Sequence, residues 1–203
     1  PAVDTGQRSL SAVTLALRAR TSGFPLAHHS VFFSDDYARE FREILRERRL
    51  PSNPSVYVCA QDRGEHLPAP PAGAFERLFC IINAPADGDR LALAERDIEA
   101  CRSSALARLE RCGLQLEFTR EQLVTTTPQV FSDLFPGSGG GLYGTATHGW
   151  RASFARPGVR SRIPGLYLTG GSVHPGAGLP MVTLSGRLAA ASLPSTRMFG
   201  RDV

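Results

Sequence analysis

Lysine is missing altogether: all 23 basic side chains are arginine. That absence reads as the codon bias of a GC-rich genome rather than as a device. Nowhere do about 18 apolar residues run together, so a transmembrane helix is not expected. After Asp133 acidic side chains are absent save Asp202, while seven arginines fall between Arg151 and Arg201. Such a segment can meet phosphates or an anionic membrane surface, or pair with carboxylates earlier in the chain. It holds neither a clustered basic run nor an aromatic ladder, so nucleic-acid binding is not expected.

Cysteine is sparse and carries no C-x-x-C pair. Cys59, Cys80, Cys101 and Cys112 each sit in an apolar pattern, which predicts buried structural thiols, no disulfide framework and a reducing compartment. The hydrolase elbow G-x-S-x-G and the metalloprotease motif H-E-x-x-H are also absent. No G-x-G-x-x-G follows a strand near the N-terminus, so the usual dinucleotide pyrophosphate fingerprint is lacking. His28-His29 has no cysteine or carboxylate at local ligand spacing, and no metal is expected there. The chain begins at Pro1 with no basic-then-apolar leader, and a fragment or processed chain is the expectation.

What is present is an alternation of strand and helix patterns. Residues 10–17 alternate around Val13, Leu15 and Leu17, a strand with one buried face, broken at Thr21-Ser-Gly-Phe-Pro25. His28 to Phe33 reads as a second strand. Ser34 is the expected N-cap of a helix to about residue 50, with Tyr37, Phe41, Ile44 and Leu45 inward. Ser55–Ala60 and Arg77–Ile82 read as strands, the second buried on both faces. A helix over 91–112 turns Ile98, Cys101, Ala105, Leu109 and Cys112 inward, and Gly113 closes it. Leu114 to Phe118 is a further strand, and Thr127-Pro128 opens a short helix. The predicted class is α/β of a mixed α+β kind.

Two glycine-rich stretches stand apart, Pro136 to Gly144 and Gly170 to Gly178. The second follows the short apolar run Leu166-Tyr167-Leu168, read as a buried strand. It precedes Pro180, Met181, Leu184, Leu188 and Ala191 at helical spacing. Strand, glycine turn and helix start together offer backbone N–H groups and a positive dipole end to an anion or a polarised oxygen. His174, inside that turn, has two open readings: a turn histidine bonded to backbone, or a group facing a reactive ring.

The run from Leu166 through Gly170-Gly171-Ser172-Val173-His174-Pro175-Gly176-Ala177-Gly178-Leu179-Pro180-Met181 resembles the C-terminal signature of bacterial-type phytoene desaturases and related carotenoid desaturases. His28-His29-Ser-Val-Phe-Phe-Ser, Tyr57-Val-Cys-Ala, Asn83-Ala-Pro and Thr127-Pro128 are similar to landmarks of the same family, in the same order. The resemblance covers most of residues 10–193. Within the family it is nearest to the 1-hydroxycarotenoid 3,4-desaturases acting on hydroxy- or methoxyneurosporene.

The resemblance implies a flavoprotein oxidoreductase with an amine-oxidase-like FAD fold, of which this chain is the C-terminal part. Residues 1–134 would belong to the substrate domain, a mixed sheet with helices near 34–50 and 91–112. Residues 135–203 would complete the FAD site with a glycine-rich loop, a strand at 166–169 and a helix from about 180. Gly170, Gly171 and Ser172 would follow the ribityl–pyrophosphate part of FAD. Gly178, Leu179, Pro180, Met181 and Val182 would lie at the isoalloxazine ring. Many relatives carry an acidic residue after the strand-end glycine; here a ribityl hydroxyl would bond Ser172 or backbone instead. The N-terminal FAD-binding segment would be a missing partner. Tyr143, Trp150 and Phe154 would wall a channel for a carotenoid polyene, and His174 is the one catalytic candidate. The reaction would pass hydride to the flavin and a proton from the adjacent carbon to a base. A cytoplasmic protein peripheral on the inner membrane is implied, inactive as an isolated fragment. A carotenoid isomerase or saturase of the same fold, or a non-catalytic carotenoid- or lipid-binding fragment, remains open.

Overall fold

A period of two in Ser11-Ala-Val-Thr-Leu-Ala-Leu-Arg-Ala-Arg places Val13, Leu15, Leu17 and Ala19 on one side of a strand. All four are buried, while Ala16, Arg18 and Arg20 face water. The computed structural model describes residues 5–64, 70–90, 92–146 and 156–193. The chain divides into two compact units, Pro1–Leu142 and Tyr143–Val203, the division falling inside the first glycine-rich stretch.

The first unit is built on a six-stranded sheet. Its strands are β1 (Ser11–Ser22), β2 (His29–Phe32), β3 (Val56–Ala60), β4 (Phe75–Ala84), β5 (Gln115–Glu117) and β6 (Leu123–Thr126). The order is β2-β3-β4-β1-β5, with β6 also pairing β1. β1 runs past the expected break because Arg18 to Arg20 stay paired with Arg77 to Phe75 of β4. Every pairing among the described residues is antiparallel, so the expected mixed sheet is corrected. Each strand enters from the end where its neighbour finished, which is the antiparallel condition. β6 went unforeseen because Leu123-Val-Thr-Thr has no apolar alternation to mark it.

Helices α1 (Tyr37–Leu45), α2 (Glu95–Arg111) and α3 (Pro128–Leu134) complete this unit. α2 lies against β3 and β5 and buries Cys101, Ala105 and Leu109 in the sheet's core face. Cys112, expected inward, is exposed because α2 ends at Arg111 and Cys112 is already the cap residue turning away. Burial pushes the Cys80 and Cys101 thiols up to about 12, so both are inert packing groups. β4 buries only Glu76, Leu78, Cys80, Ile82 and Ala84; its other face is half covered rather than buried.

α1 departs most from its pattern. Asp36, not Ser34, caps it, accepting from the Arg39 N–H at 2.9 Å. Its buried residues are Glu40, Glu43 and Ile44, whereas Phe33, Tyr37 and Leu45 stand in water. The two carboxylates go inward because donors are waiting for them. Glu40 accepts from the Ser55 N–H at 3.0 Å and hydroxyl at 2.7 Å. Glu43 accepts from the Ser52 N–H at 2.7 Å, Arg39 at 3.0 Å and Arg49 at 2.6 Å. Burial pushes the Glu43 carboxyl up, but Ser52, Arg39 and Arg49 outweigh it and hold it at about 2. Arg108 of α2 is buried and forks onto Asp35 at 2.8 and 2.7 Å, holding that carboxyl near 2 as well, with help from Asn53.

In the second unit the regular helix is α4 (Leu179–Ala191), starting one residue before Pro180. The expected strand at Leu166–Leu168 is an isolated bridge between Arg160 and Tyr167, and Leu166 is exposed. Among the described residues no helix is long and apolar enough to cross a membrane.

Candidate functional site

The glycine turn before α4 is held by its own backbone and two side chains. The arm from Arg156 runs beside the chain leading into the turn. Leu168 N–H donates to Val159 O at 2.8 Å, and His174 N–H donates to Pro157 O at 2.9 Å. Arg156 reaches across and donates to Gly171 O at 2.7 Å. Its side chain also lies 3.4 Å from where a Cβ on Gly176 would stand, so it braces both sides of the turn. The sequence reading passed over Arg156; its only signal was Arg-Pro-Gly punctuation fourteen residues before Gly170.

At the far side the buried Ser185 hydroxyl accepts from the Gly170 N–H at 2.9 Å and donates to Val182 O at 2.7 Å. It ties the turn to the first turn of α4. Gly178, the N-cap, has φ of 104°, a conformation that any Cβ would strain. Open space surrounds it and Gly170: nothing comes within 4 Å of a Cβ built on either. Gly144 is the opposite case, since a Cβ there would collide with the Ser172 hydroxyl.

Gly170, Gly171, Ser172, Gly178 and the start of α4 therefore share one turn, with Val182 packed near Gly171. Leu179, Pro180, Met181 and Val182 are exposed on the first turn of the helix. Helix starts leave N–H groups unpaired, and Pro180 subtracts one of them. Tyr143 is connected to this turn through its carbonyl, which accepts from Arg156 at 3.4 Å. Trp150 and Phe154 lie outside the described residues. His174 is exposed, anchored by its N–H alone among the bonds given above. An open cavity of about 440 Å³ lies at the other end of α4, lined by Arg160, Tyr167, Ser192 and neighbours. It does not touch the glycine turn.

The open face of the sheet in the first unit is the second feature. Val31, Tyr57, Phe79 and Ile81 share it through the registers Val31↔Tyr57, Tyr57↔Ile81 and Cys59↔Phe79. None of them is fully buried. On the same face His29 pairs directly with Cys59, with His28 beside them. The expectation of no ligand set here rested on local spacing. The third group comes instead from the neighbouring strand, thirty residues away.

A glycine turn braced at a helix start is suited to receive an anion or a polarised oxygen. No protein-family model matches the chain. Comparison with curated proteins does resolve it. The chain is 52% identical over 192 residues to a hydroxyneurosporene desaturase of Rubrivivax gelatinosus, covering 95% of this chain and 36% of that protein. It is 45% identical over 187 residues to a hydroxyneurosporene desaturase of Cereibacter sphaeroides, covering 92% of this chain and 36% of that protein. A 1-hydroxycarotenoid 3,4-desaturase of Flavobacterium sp. is 32% identical over 192 residues, 94% of this chain and 38% of that protein. The chain is thus homologous to hydroxyneurosporene desaturases, and it spans about 36% of the length of these two relatives.

Proposed function

We propose that this chain is part of an FAD-dependent carotenoid desaturase that introduces a double bond into a hydroxy- or methoxyneurosporene-type polyene. The observation that carries the reading is the turn at Gly170–Gly178. Gly170 and Gly178 leave open space against bare backbone, and the turn leads into a helix start, within a chain homologous to hydroxyneurosporene desaturases. A flat, anionic cofactor suits that combination, because backbone can approach it closely and the helix start favours negative charge.

In this reading Gly170, Gly171 and Ser172 line the ribityl–pyrophosphate portion, with Arg156 fixing the turn's shape. Gly178 through Val182 lie at the ring. FAD, when bound, supplies the acceptor for the hydride removed from the polyene. This chain's part is to position the ring edge and keep water away with Leu179, Met181 and Val182. Residues 1–134 form the substrate side and residues 135–203 the flavin side. The polyene has few polar handles, so the open face with Val31, Tyr57, Phe79 and Ile81 recognises it by shape and apolar contact. By the likeness to carotenoid desaturases, Tyr143, Trp150 and Phe154 are assigned to the lining of a polyene channel. His174 serves as the titratable group at the ring. Contact with the bilayer that stores the polyene falls to exposed Phe33, Tyr37 and Leu45 together with surface arginines.

The test is expression of the longer desaturase that contains this chain in a bacterium that accumulates a 1-hydroxylated polyene, followed by chromatography of the pigments. A product with two fewer hydrogens and a red-shifted spectrum is expected. An isomer with an unchanged double-bond count would overturn desaturation. His174→Ala with unchanged turnover would remove His174 from the reaction.

A further inference from the structure

His28, His29 and Cys59 bring one ligand atom each within 4.8 Å of one another, on the sheet's edge strand β2 and its neighbour β3. We propose that these three side chains form a metal site for zinc or a similar borderline d10 cation, with a fourth position open to water or an added ligand. The proposal is independent of the flavin reading.

Two imidazoles and a thiolate are the donor set that suits Zn2+. A tetrahedral ion with bonds of about 2.0 Å to nitrogen and about 2.3 Å to sulfur holds its ligands about 3.5 Å apart. Small side-chain rotations close the present separations to that value. The geometry is already fixed from behind. His28 Nδ1 lies 3.0 Å from the Ala60 carbonyl, which can only accept, so that nitrogen carries the proton and Nε2 keeps its lone pair. His29 Nδ1 lies 2.7 Å from the Tyr57 hydroxyl. Tyr57 and Cys59 are two residues apart on one face of β3. The Tyr57 hydroxyl can both accept and donate a hydrogen bond. It can accept from His29 and donate to sulfur, leaving His29 Nε2 as the ligand atom. Imidazoles whose second nitrogen is held by a carbonyl or hydroxyl are the arrangement found behind protein metal ions.

The set is also reachable. His29 is exposed, and His28 and Cys59 are half-buried, so a hydrated ion has a path in. On binding, the Cys59 thiol gives its proton to solvent, and thiolate plus dication leave a net single positive charge. Such a centre can hold an anionic or thiol ligand on the sheet's open face.

The test is titration of the metal-free protein with Co2+ and then Zn2+. One equivalent of cobalt should bind with tetrahedral visible bands and a near-ultraviolet thiolate-to-cobalt charge-transfer band, and zinc should displace it. Cys59→Ser should abolish the charge-transfer band, and Tyr57→Phe should weaken binding about 10-fold. Cys112→Ser, which removes the exposed thiol, should change nothing. Absence of the band in the unsubstituted protein, or its survival in Cys59→Ser, would overturn the site. His29 is exposed, so His29→Gln should fold normally by circular dichroism. Unweakened one-equivalent binding in that variant would overturn the site too.

Discussion

The two units solve stability in opposite ways. Pro1–Leu142 has a closed apolar core of β1, β3, β4 and α2 side chains, with charged groups drawn in only where partners meet them. Among the described residues of Tyr143–Val203, Val173 and Ala189 are the buried hydrophobics, while Leu179 of α4 is 86% exposed. Its turn is held by backbone hydrogen bonds, Arg156 and Ser185. The difference teaches that the first unit is fixed by packing, which is non-directional and large. The second is fixed by a few directional bonds that leave its apolar helix face available.

The comparison can be broken most sharply in the core. Leu15→Ala removes a fully buried side chain and should cost about 3 kcal/mol in denaturant unfolding. The matching Leu179→Ala in α4 should stay within about 0.5 kcal/mol. Equal effects would abolish the distinction. Next is the buried carboxylate of α1. Glu43→Gln should cost about 2 kcal/mol at neutral pH, because charged hydrogen bonds to Ser52, Arg39 and Arg49 are weakened. The sign follows from its lowered value. With an ordinary carboxyl at 4.5 and the folded one at about 2, its contribution is complete above 4.5 and disappears as pH falls toward about 2. Unfolding free energy measured across that window should fall in the parent and change less in Glu43→Gln.

The second unit is probed by smaller changes. Gly178→Ala forces a Cβ onto a φ of 104° and should cost about 1–2 kcal/mol locally. In the longer, FAD-loaded protein of the proposed reading, flavin absorbance should drop while the unfolding midpoint of the first unit stays put. A shift of that midpoint would mean that the turn supports the core after all. Smallest is Ser185→Ala, which frees the Gly170 N–H and should cost about 1 kcal/mol. Faster amide exchange at Gly170 would register it.

Legibility in the sequence tracked the same divide. β1, β3 and α2 could be read from residues because their burial is periodic: Val13-Leu15-Leu17 at two, Cys101-Ala105-Leu109 at nearly four. The opening of α3 was marked by Thr127-Pro128 and that of α4 by Pro180. What failed was whatever depended on a distant partner. Tyr37 and Leu45 were read as inward and are each 50% exposed, because Glu40 and Glu43 took the inward face, where Ser55, Ser52 and Arg49 receive them. The Leu166–Leu168 run looked like a strand but, among the described residues, forms one bridge, Tyr167 with Arg160. Within the turn, the glycines were visible as a pattern, yet the brace from Arg156 was not, since a hydrogen bond to a carbonyl leaves no periodic trace.

By itself the sequence determined the alternating class, the principal strands and helices, the glycine turn before α4 and the likeness to carotenoid desaturases. These rest on local propensity, period and motif, which need no partner to be expressed. Tertiary structure alone decided the antiparallel sheet, the inward carboxylates of α1 and the bracing of Gly171 by Arg156. It also decided the meeting of His28 and His29 with Cys59. Each of these depends on contacts that reach beyond a single element: up to 15 residues apart for the α1 carboxylates and Arg156, about thirty for His29 and Cys59. Register and charge pairing settle such contacts only once the strands have found each other.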